Sequence, residues 1–203
     1  MKTLAKTLFA VAFTAVVFTS SAMKASATEP VIKETKTPVL AGFNRIWVSG
    51  NVKLVLTQGN TPSVVGSESY DSSKTFVQSD GKTLFINSME TTQVTLQITM
   101  QDLERIEAYG QSVIETKNNF EVKNLQLFLN QGATAKIKTT ASSLYSVVQE
   151  DAVLKLNGKA DNSTLIASNM KNVKLNDFAS LKSSAYATEA IMNADQNALV
   201  LWK

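Results

Sequence analysis

Residues 120–195 read as four ungapped copies of a 19-residue unit: FEVKNLQLFLNQGATAKIK, TTASSLYSVVQEDAVLKLN, GKADNSTLIASNMKNVKLN and DFASLKSSAYATEAIMNAD. Stacking the copies aligns side chains in columns. The third position holds Val122, Ala141, Ala160 and Ala179, and Ala198 continues it. The sixteenth holds Ala135, Leu154, Val173 and Met192, and the eighteenth holds Ile137, Leu156, Leu175 and Ala194. Lys136, Lys155, Lys174 and Asn193 stand between these last two columns. A fixed short period means stacked supersecondary units, each burying its apolar face against the next.

Each copy carries two short alternating runs, such as Leu125-Gln-Leu127-Phe-Leu129 and Ala135-Lys-Ile137-Lys. Alternation is the signature of a strand with one buried face, and no copy has a long stretch at helical spacing. The expected fold is all-β: a β-solenoid whose turns pair at about 4.8 Å. Lysines stacked directly opposite one another repel. The Lys136, Lys155, Lys174 column is therefore expected to face water, with its apolar neighbours inward. It is either a solvated face or a cationic stripe for an acidic polymer.

The fourth copy looks degenerate. Lys182 stands where Leu125 and Leu144 stood, and Ser184 where Leu127 stood. Terminal repeats are expected to be atypical because one side meets solvent. The apolar tail, residues 198–203, reads as a last strand with Trp202 over the open end of the core.

The 203 residues suit one domain or two small ones, and contain neither cysteine nor histidine. A disulfide framework and a thiol enzyme are thereby excluded, and the usual general base and commonest metal ligand are missing. Residues 1–27 read as a secretory signal peptide: Lys2 and Lys6 precede an apolar run over 8–18, and Ala25-Ser-Ala27 forms a small-residue cleavage site. With no cysteine at that point, a lipoprotein anchor is not expected. Of the 20 basic residues, Lys2, Lys6 and Lys24 lie in this segment, which has no acid. The remainder is 17 against 17, formally neutral, so charge makes no case for nucleic acid. Residues 28–41, with two of the three prolines, read as a flexible leader. The folded domain is expected over 42–203, with no transmembrane segment once the signal is removed.

The N-terminal half continues the strand pattern. FNRIWVSGNVKLVLT, over 43–57, is strand, tight turn, strand. A short strand begins at Ser63, and a loop covers 70–73. Asp80-Gly81 between two apolar runs marks a hairpin. Val94, Leu96, Ile98 and Met100 alternate as a half-buried strand. Leu103, Ile106 and Ala108 sit 19 residues before Val122, Leu125 and Leu127, while Val113 sits 22 before Ala135. This spacing predicts an earlier turn of the same coil with a three-residue difference at one corner. Ile106-x-Ala-x-Gly110 echoes Ile46-x-Val-x-Gly50, each ending in a glycine at a corner where a positive φ is expected.

The segments FNRIWVSGNVKLVLTQG and SDGKTLFI, followed by LERIEAYGQSVI, resemble the putative auto-transporter adhesin, head GIN domain family, which belongs mostly to secreted or surface proteins of Bacteroidetes-type bacteria. The resemblance runs from Gly42 to Lys203. It implies a right-handed, β-helix-like, all-β body and an adhesive role, and it implies no catalytic residues and no cofactor. An autotransporter barrel needs many tilted strands of about ten residues. The chain has no such series, so the likeness is expected to concern the head-like fold alone.

Solenoids can also carry glycoside chemistry, which needs two carboxyls facing each other across a substrate. The candidate pairs are Asp102 with Glu104, Glu150 with Asp151, and Glu107 with Glu115. Solvated acids at strand ends are the bland reading of each. Arg45 and Arg105 are the only arginines, a poor supply for a polyanion. No calcium loop is apparent. Asp80-Gly81 reads as a turn, and Asn157 with Asn176 as a side-chain ladder. Exposed aromatics bind sugars. The candidates are Tyr70, Tyr109, Tyr145 and Tyr186, with Tyr145 expected outward. Tyr186, in the column of Leu129 and Val148, is expected in the core. The tyrosines form no periodic stripe.

The expected function is a non-enzymatic, exported binding or adhesion module, periplasmic or at the cell surface or beyond. Polysaccharide or a surface protein would be its partner through a flat face, with the ligand-binding residues undetermined. The alternatives are a carbohydrate-active enzyme using Asp and Glu, and a passive envelope protein that self-associates.

Overall fold

The computed structural model describes residues 42–67 and 70–188. The expected signal peptide, the leader, Trp202 and the apolar tail lie outside the described residues, as do Met192, Asn193, Ala194 and Ala198. The body is all-β: β1 (Arg45–Gly50), β2 (Val52–Gln58), β3 (Ser63–Gly66), β4 (Thr75–Asp80), β5 (Thr83–Ser88), β6 (Val94–Met100), β7 (Arg105–Ala108), β8 (Val113–Thr116), β9 (Phe120–Leu129), β10 (Thr134–Val148), β11 (Val153–Ala167) and β12 (Val173–Ala187). A single 3-10 turn, Met170–Asn172, precedes β12.

These strands form one 12-stranded sheet that curls into two limbs. The curl comes from β10, whose first residues pair with β8 while residues 139–148 pair with β9. In one limb the order is β4, β5, β1, β7 and β9, then the second halves of β10, β11 and β12. In the other it is β3, β6, β2 and β8, then the first halves of the same three strands. Pairing is parallel except where β3 and β4 meet β6 and β5. Each of β3 and β4 is the outermost strand of its limb, at opposite ends of the strand order. Asp80-Gly81 makes the β4–β5 hairpin, with Gly81 at φ 55°.

Period-2 alternation sets the core. Leu84, Ile46, Ile106, Leu127, Ser146 and Leu165 are paired in register and face inward from the first limb. Leu96, Leu54, Ile114, Ala135 and Leu154 do the same from the second. Each side chain removed from water contributes roughly 1.5–3 kcal/mol for the larger aliphatics. The two runs of successive copies are not separate strands. They fuse across the copy boundary into the 15-residue strands β10 and β11, which bend between limbs. Two glycines serve such bends. Gly50 has φ 94° and Gly158 φ 105°, and a Cβ at either would lie about 2 Å from a carbonyl oxygen, of Ser88 or Thr139. Gly110 also has positive φ, as its echo of Gly50 predicts.

The 19-residue offset holds from β9 to β10 and from β10 to β11: Leu125 pairs with Leu144, and Ala135 with Leu154. It fails in two places. Toward β7 and β8 the offset is 21, because Ile106 pairs with Leu127, Ala108 with Leu129, and Val113 with Thr134. The expected offsets of 19 and 22 both give way to a uniform 21, an insertion of two residues that sequence alone could not place. Beyond Lys155 and Lys174 a bulge in β12 raises the offset to 20, so that Asn157 pairs with Asp177 and Ala160 with Ser180.

One extra residue turns every later side chain to the opposite face. Ala179 is therefore exposed and leaves the Val122–Ala141–Ala160 column. Lys182 and Ser184 do not replace inward leucines, since they pair with the outward Asn162 and Thr164. Asn157 and Asn176 make no ladder, because Asn176 lies within the bulge. Tyr186 is not core: it pairs with Ile166 and is 47% exposed.

Candidate functional site

The outward side chains of the two limbs form two in-register rows of opposite chemistry. Across the first limb the row is Phe85, Trp47, Glu107, Phe128, Val147, Ile166 and Tyr186. Across the second it is Val55, Glu115, Lys136, Lys155 and Lys174. Three rings of the first row stand between two buried residues, while Tyr186 lies on the exposed β12. Trp47 lies between Ile46 and Val48, Phe85 between Leu84 and Ile86, and Phe128 between Leu127 and Leu129. The pleat that seats those neighbours in the core holds the rings, half-buried, on the outside.

The rings touch one another. Trp47 lies 6.2 Å from Phe85 and 5.6 Å from Tyr109, both pairs tilted. Phe128 lies 6.0 Å from Tyr145, and the Arg105 guanidinium sits 5.2 Å above the Phe128 ring. Such tilted pairs add roughly 0.5–1.5 kcal/mol beyond area burial. Arg105 is fixed further by donating to Gln126 Oε1 at 2.8 Å and to Glu107 Oε1 at 3.1 Å. Beside Phe128 the face dips into a cleft of about 410 Å³. Phe128, Val147 and Tyr109 give it apolar walls, while Arg105, Glu107, Asn130 and Gln149 supply polar groups.

A larger hollow, about 860 Å³, lies where the long strands bend between limbs. Its volume comes from the small third-position side chains Val122, Ala141 and Ala160. Charges of both signs rim it, including Asp102, Glu121, Lys123 and Lys159, and no aromatic ring lines it. The smaller cleft is the better-built site because Arg105 and Glu107 are already oriented by each other.

The lysine row faces water as expected, with Lys136, Lys155 and Lys174 in direct register and exposed. Its repulsion is relieved at one end. Glu115, paired with Lys136 across the strands, bridges Lys136 at 2.5 Å and Lys53 at 2.8 Å. Hydrogen bonds from these two ammonium groups hold the Glu115 carboxyl below its ordinary range.

Of the candidate carboxylate pairs, Glu107 and Glu115 are not brought together. Glu107 and Glu115 project from opposite limbs, each held by its own cations. Glu104 pairs with Arg45 at 3.4 Å, while Asp102 Oδ1 accepts from the Leu103 amide. Glu150 takes a left-handed backbone, φ 54°, in the turn before β11, and Gln131 holds the same conformation in the turn before β10. That pair is corner geometry. Among the described residues, no cluster of three or more acidic side chains could hold a metal ion.

Of the tyrosines, Tyr109 and Tyr145 join the aromatic face, and Tyr145 points outward as alternation predicts. Tyr186 ends the row. Tyr70 packs against Gly66, and burial, with the nearby Asp71 charge, pushes its phenol up. The tyrosines alone form no stripe. The stripe exists once Trp47, Phe85 and Phe128 are included, three rings that sequence reasoning passed over. Their signal was present: each is the middle residue of an apolar triplet within an alternating run.

With this geometry in view, the chain belongs to the putative auto-transporter adhesin, head GIN domain family, which it matches over residues 42–188. A putative adhesin from Bacteroides fragilis shares the fold with TM-score 0.68 and 17% identity, over 78% of each chain. A putative lipid binding protein from Parabacteroides distasonis superposes with TM-score 0.56 and 11% identity, over 79% of each chain. A putative adhesin from Parabacteroides merdae does so with TM-score 0.53 and 12% identity, over 77% of each. No curated protein matches the chain. Among the described residues no helix is long and apolar enough to cross a membrane.

Proposed function

We propose that this chain is an exported, non-enzymatic adhesion module that holds its partner, a surface polysaccharide or protein, against the aromatic face of the first limb. Residues 1–27 act as the signal peptide and 28–41 as a leader, and the body from 42 onward is a single right-handed β-solenoid acting in the envelope or outside the cell. The parallel pairing at a 19-residue offset supports the coil. Right-handedness follows the general rule for parallel crossovers.

The observation that carries the adhesive reading is the in-register outward row from Phe85 through Trp47 and Phe128 to Tyr186. Apolar side chains placed outward on successive strands leave no work for them in the core. A flat, repeated surface also suits contact at many points, where weak single contacts multiply. The pairing of Glu107 with Arg105, and of Glu115 with two lysines, supports reading neither carboxylate as a general acid or base. The adhesin neighbours agree in fold.

The test is binding of the purified full chain to a broad panel of immobilised glycans and bacterial or host surface proteins. Trp47→Ala should abolish any specific signal, and a triple Lys136, Lys155, Lys174→Ser variant should preserve it. Retention of binding by Trp47→Ala would remove the aromatic face from the reading.

A second reading rests on β12. Its far edge is unpaired among the described residues, and Leu181 on it is 83% exposed. An unpaired long edge is a template for another strand. Self-association through it would appear as a mass that rises with concentration and falls when Leu181 is replaced by lysine.

A further inference from the structure

We infer that the cleft between Phe128 and Tyr109 is a subsite for one ring of an uncharged glycan chain lying along the aromatic row. This rests on the adhesive reading and gives its partner a chemistry. A pyranose ring presents apolar C–H faces and a polar rim of hydroxyls. It needs an aromatic or aliphatic wall and, at its edge, a donor and an acceptor side by side. Phe128, Val147 and Tyr109 supply the wall. Arg105 and Glu107 supply the edge.

Arg105 spends one donor on Gln126 and one on Glu107, of the five that a guanidinium carries. Glu107 uses Oε1 for that pair. Arg105 donors and Glu107 Oε2 remain for a ligand, and both residues line the cleft. A fixed donor beside a fixed acceptor matches two neighbouring hydroxyls, each of which can donate and accept. Neither side chain has to reorganise, because the pair, the Phe128 ring and Gln126 hold Arg105 in place.

Charge selects the class. The cleft carries one cation and one anion, already paired at 3.1 Å, so its net charge is zero. An acidic sugar would bring its carboxylate against Glu107. A purely apolar protein side chain would strip water from the ion pair and return no hydrogen bond, which is costly. An uncharged hydroxylated ligand satisfies both groups. Spacing extends the site: Trp47 and Phe128 stand two strands apart, about 9.6 Å at the usual interstrand distance. One ring can rest at Phe128 while another ring of the same chain reaches Trp47.

The experiment is calorimetric titration of the purified full chain with uncharged hexasaccharides of gluco-, manno-, galacto- and xylo- backbones, and with hexagalacturonate as the acidic counterpart. At least one uncharged hexasaccharide should bind, and hexagalacturonate should bind about tenfold more weakly or not at all. Phe128→Ala should weaken the uncharged ligand by about tenfold, and Glu107→Gln by about fivefold. Lys155→Ala should leave it unchanged. Glu107→Gln, a surface change of equal size, keeps the test informative should Phe128→Ala fold poorly.

Preference for hexagalacturonate, binding unaffected by both Phe128→Ala and Glu107→Gln, or no binding of any hexasaccharide would each overturn the subsite. Adhesion to immobilised surfaces is measured on the same preparation. Adhesion that depends on Trp47 without hexasaccharide binding sinks the glycan subsite and leaves the adhesive reading standing. Loss of both sinks both.

Discussion

The two limbs of the sheet have the same backbone plan and opposite outer surfaces. Both stack parallel strands in register, and both alternate buried and outward residues. On the second limb the outward middle row is Glu115, Lys136, Lys155 and Lys174. On the first, the matching row is Trp47, Glu107, Phe128, Val147 and Ile166. A lysine row pays little to be solvated and keeps the sheet soluble. An aromatic row leaves apolar area in water that its ring pairs only partly offset, and this is what supports the proposal that the first limb meets a partner. What the chain buries is common to both limbs; what it displays differs.

The first way to break this comparison is to show that inward and outward are misassigned. Leu154 is fully buried beside the exposed Lys155. Leu154→Asp should cost about 4 kcal/mol or more by burying an unpaired carboxylate, and Lys155→Asp should stay within about 0.5 kcal/mol. Urea denaturation measures both. Equal losses would mean that the alternation is not as described.

A second break is at the bends that separate the limbs. Gly158→Ala would set a Cβ 2.1 Å from the Thr139 carbonyl oxygen, at a φ of 105° that L-residues avoid. The expected loss is about 2 kcal/mol or more. Gly81→Ala should cost less: Gly81 also has positive φ, 55°, but its Cβ would enter open space. The difference in denaturation midpoint between the two variants isolates the close approach from the backbone strain. If the two midpoints fall together, the bend at Gly158 is looser than its geometry states.

Much of this was legible in the sequence. The alternation around Leu125 and Ala135, the β4–β5 hairpin and the lysine column all follow from side-chain period and turn chemistry alone. What escaped was register. The bulge in β12 adds one residue with no glycine or proline to announce it, and so Tyr186, Lys182 and Ser184 each changed face. The two-residue insertion between the β7–β8 turn and the next was equally silent. The aromatic face escaped for a related reason. Its members come from β1, β5, β7, β9, β10, β11 and β12, and β5 reaches its place only because the chain lays it on the far side of β1. Periodicity finds neighbours one repeat apart, not strands inserted out of order. The cleft then depends on Arg105 meeting Gln126 and Phe128, contacts fixed by the 21-residue offset.

Salt sharpens the functional half of the comparison. If the aromatic row carries adhesion, raising sodium chloride severalfold should change the affinity by less than about threefold, because stacking and hydroxyl contacts release few counterions. A ligand held by the lysine row would weaken steeply under the same change, and Lys155→Ser would reduce the slope. A steep slope abolished by Lys155→Ser would transfer the site to the second limb.

The smallest effect tests how the charged row is kept stable. Glu115 accepts from Lys53 and Lys136, and its carboxyl is held below its ordinary value of 4.5. The folded chain therefore holds on to its Glu115 charge at a pH where the unfolded chain takes up a proton. By linkage, stability from this site is complete above about pH 4.5 and fades as pH falls through the lowered folded value. The carboxyl is only partly buried, so its contribution at neutral pH should be under about 1 kcal/mol. Glu115→Gln should lose that amount at pH 7 and converge on the parent chain in acid. Lys155→Gln, at an unbridged position of the same row, should show no such convergence. If Glu115→Gln instead matches the parent at every pH, the triad is a surface contact that does not stabilise the fold, and the lysine row is kept apart by solvent alone.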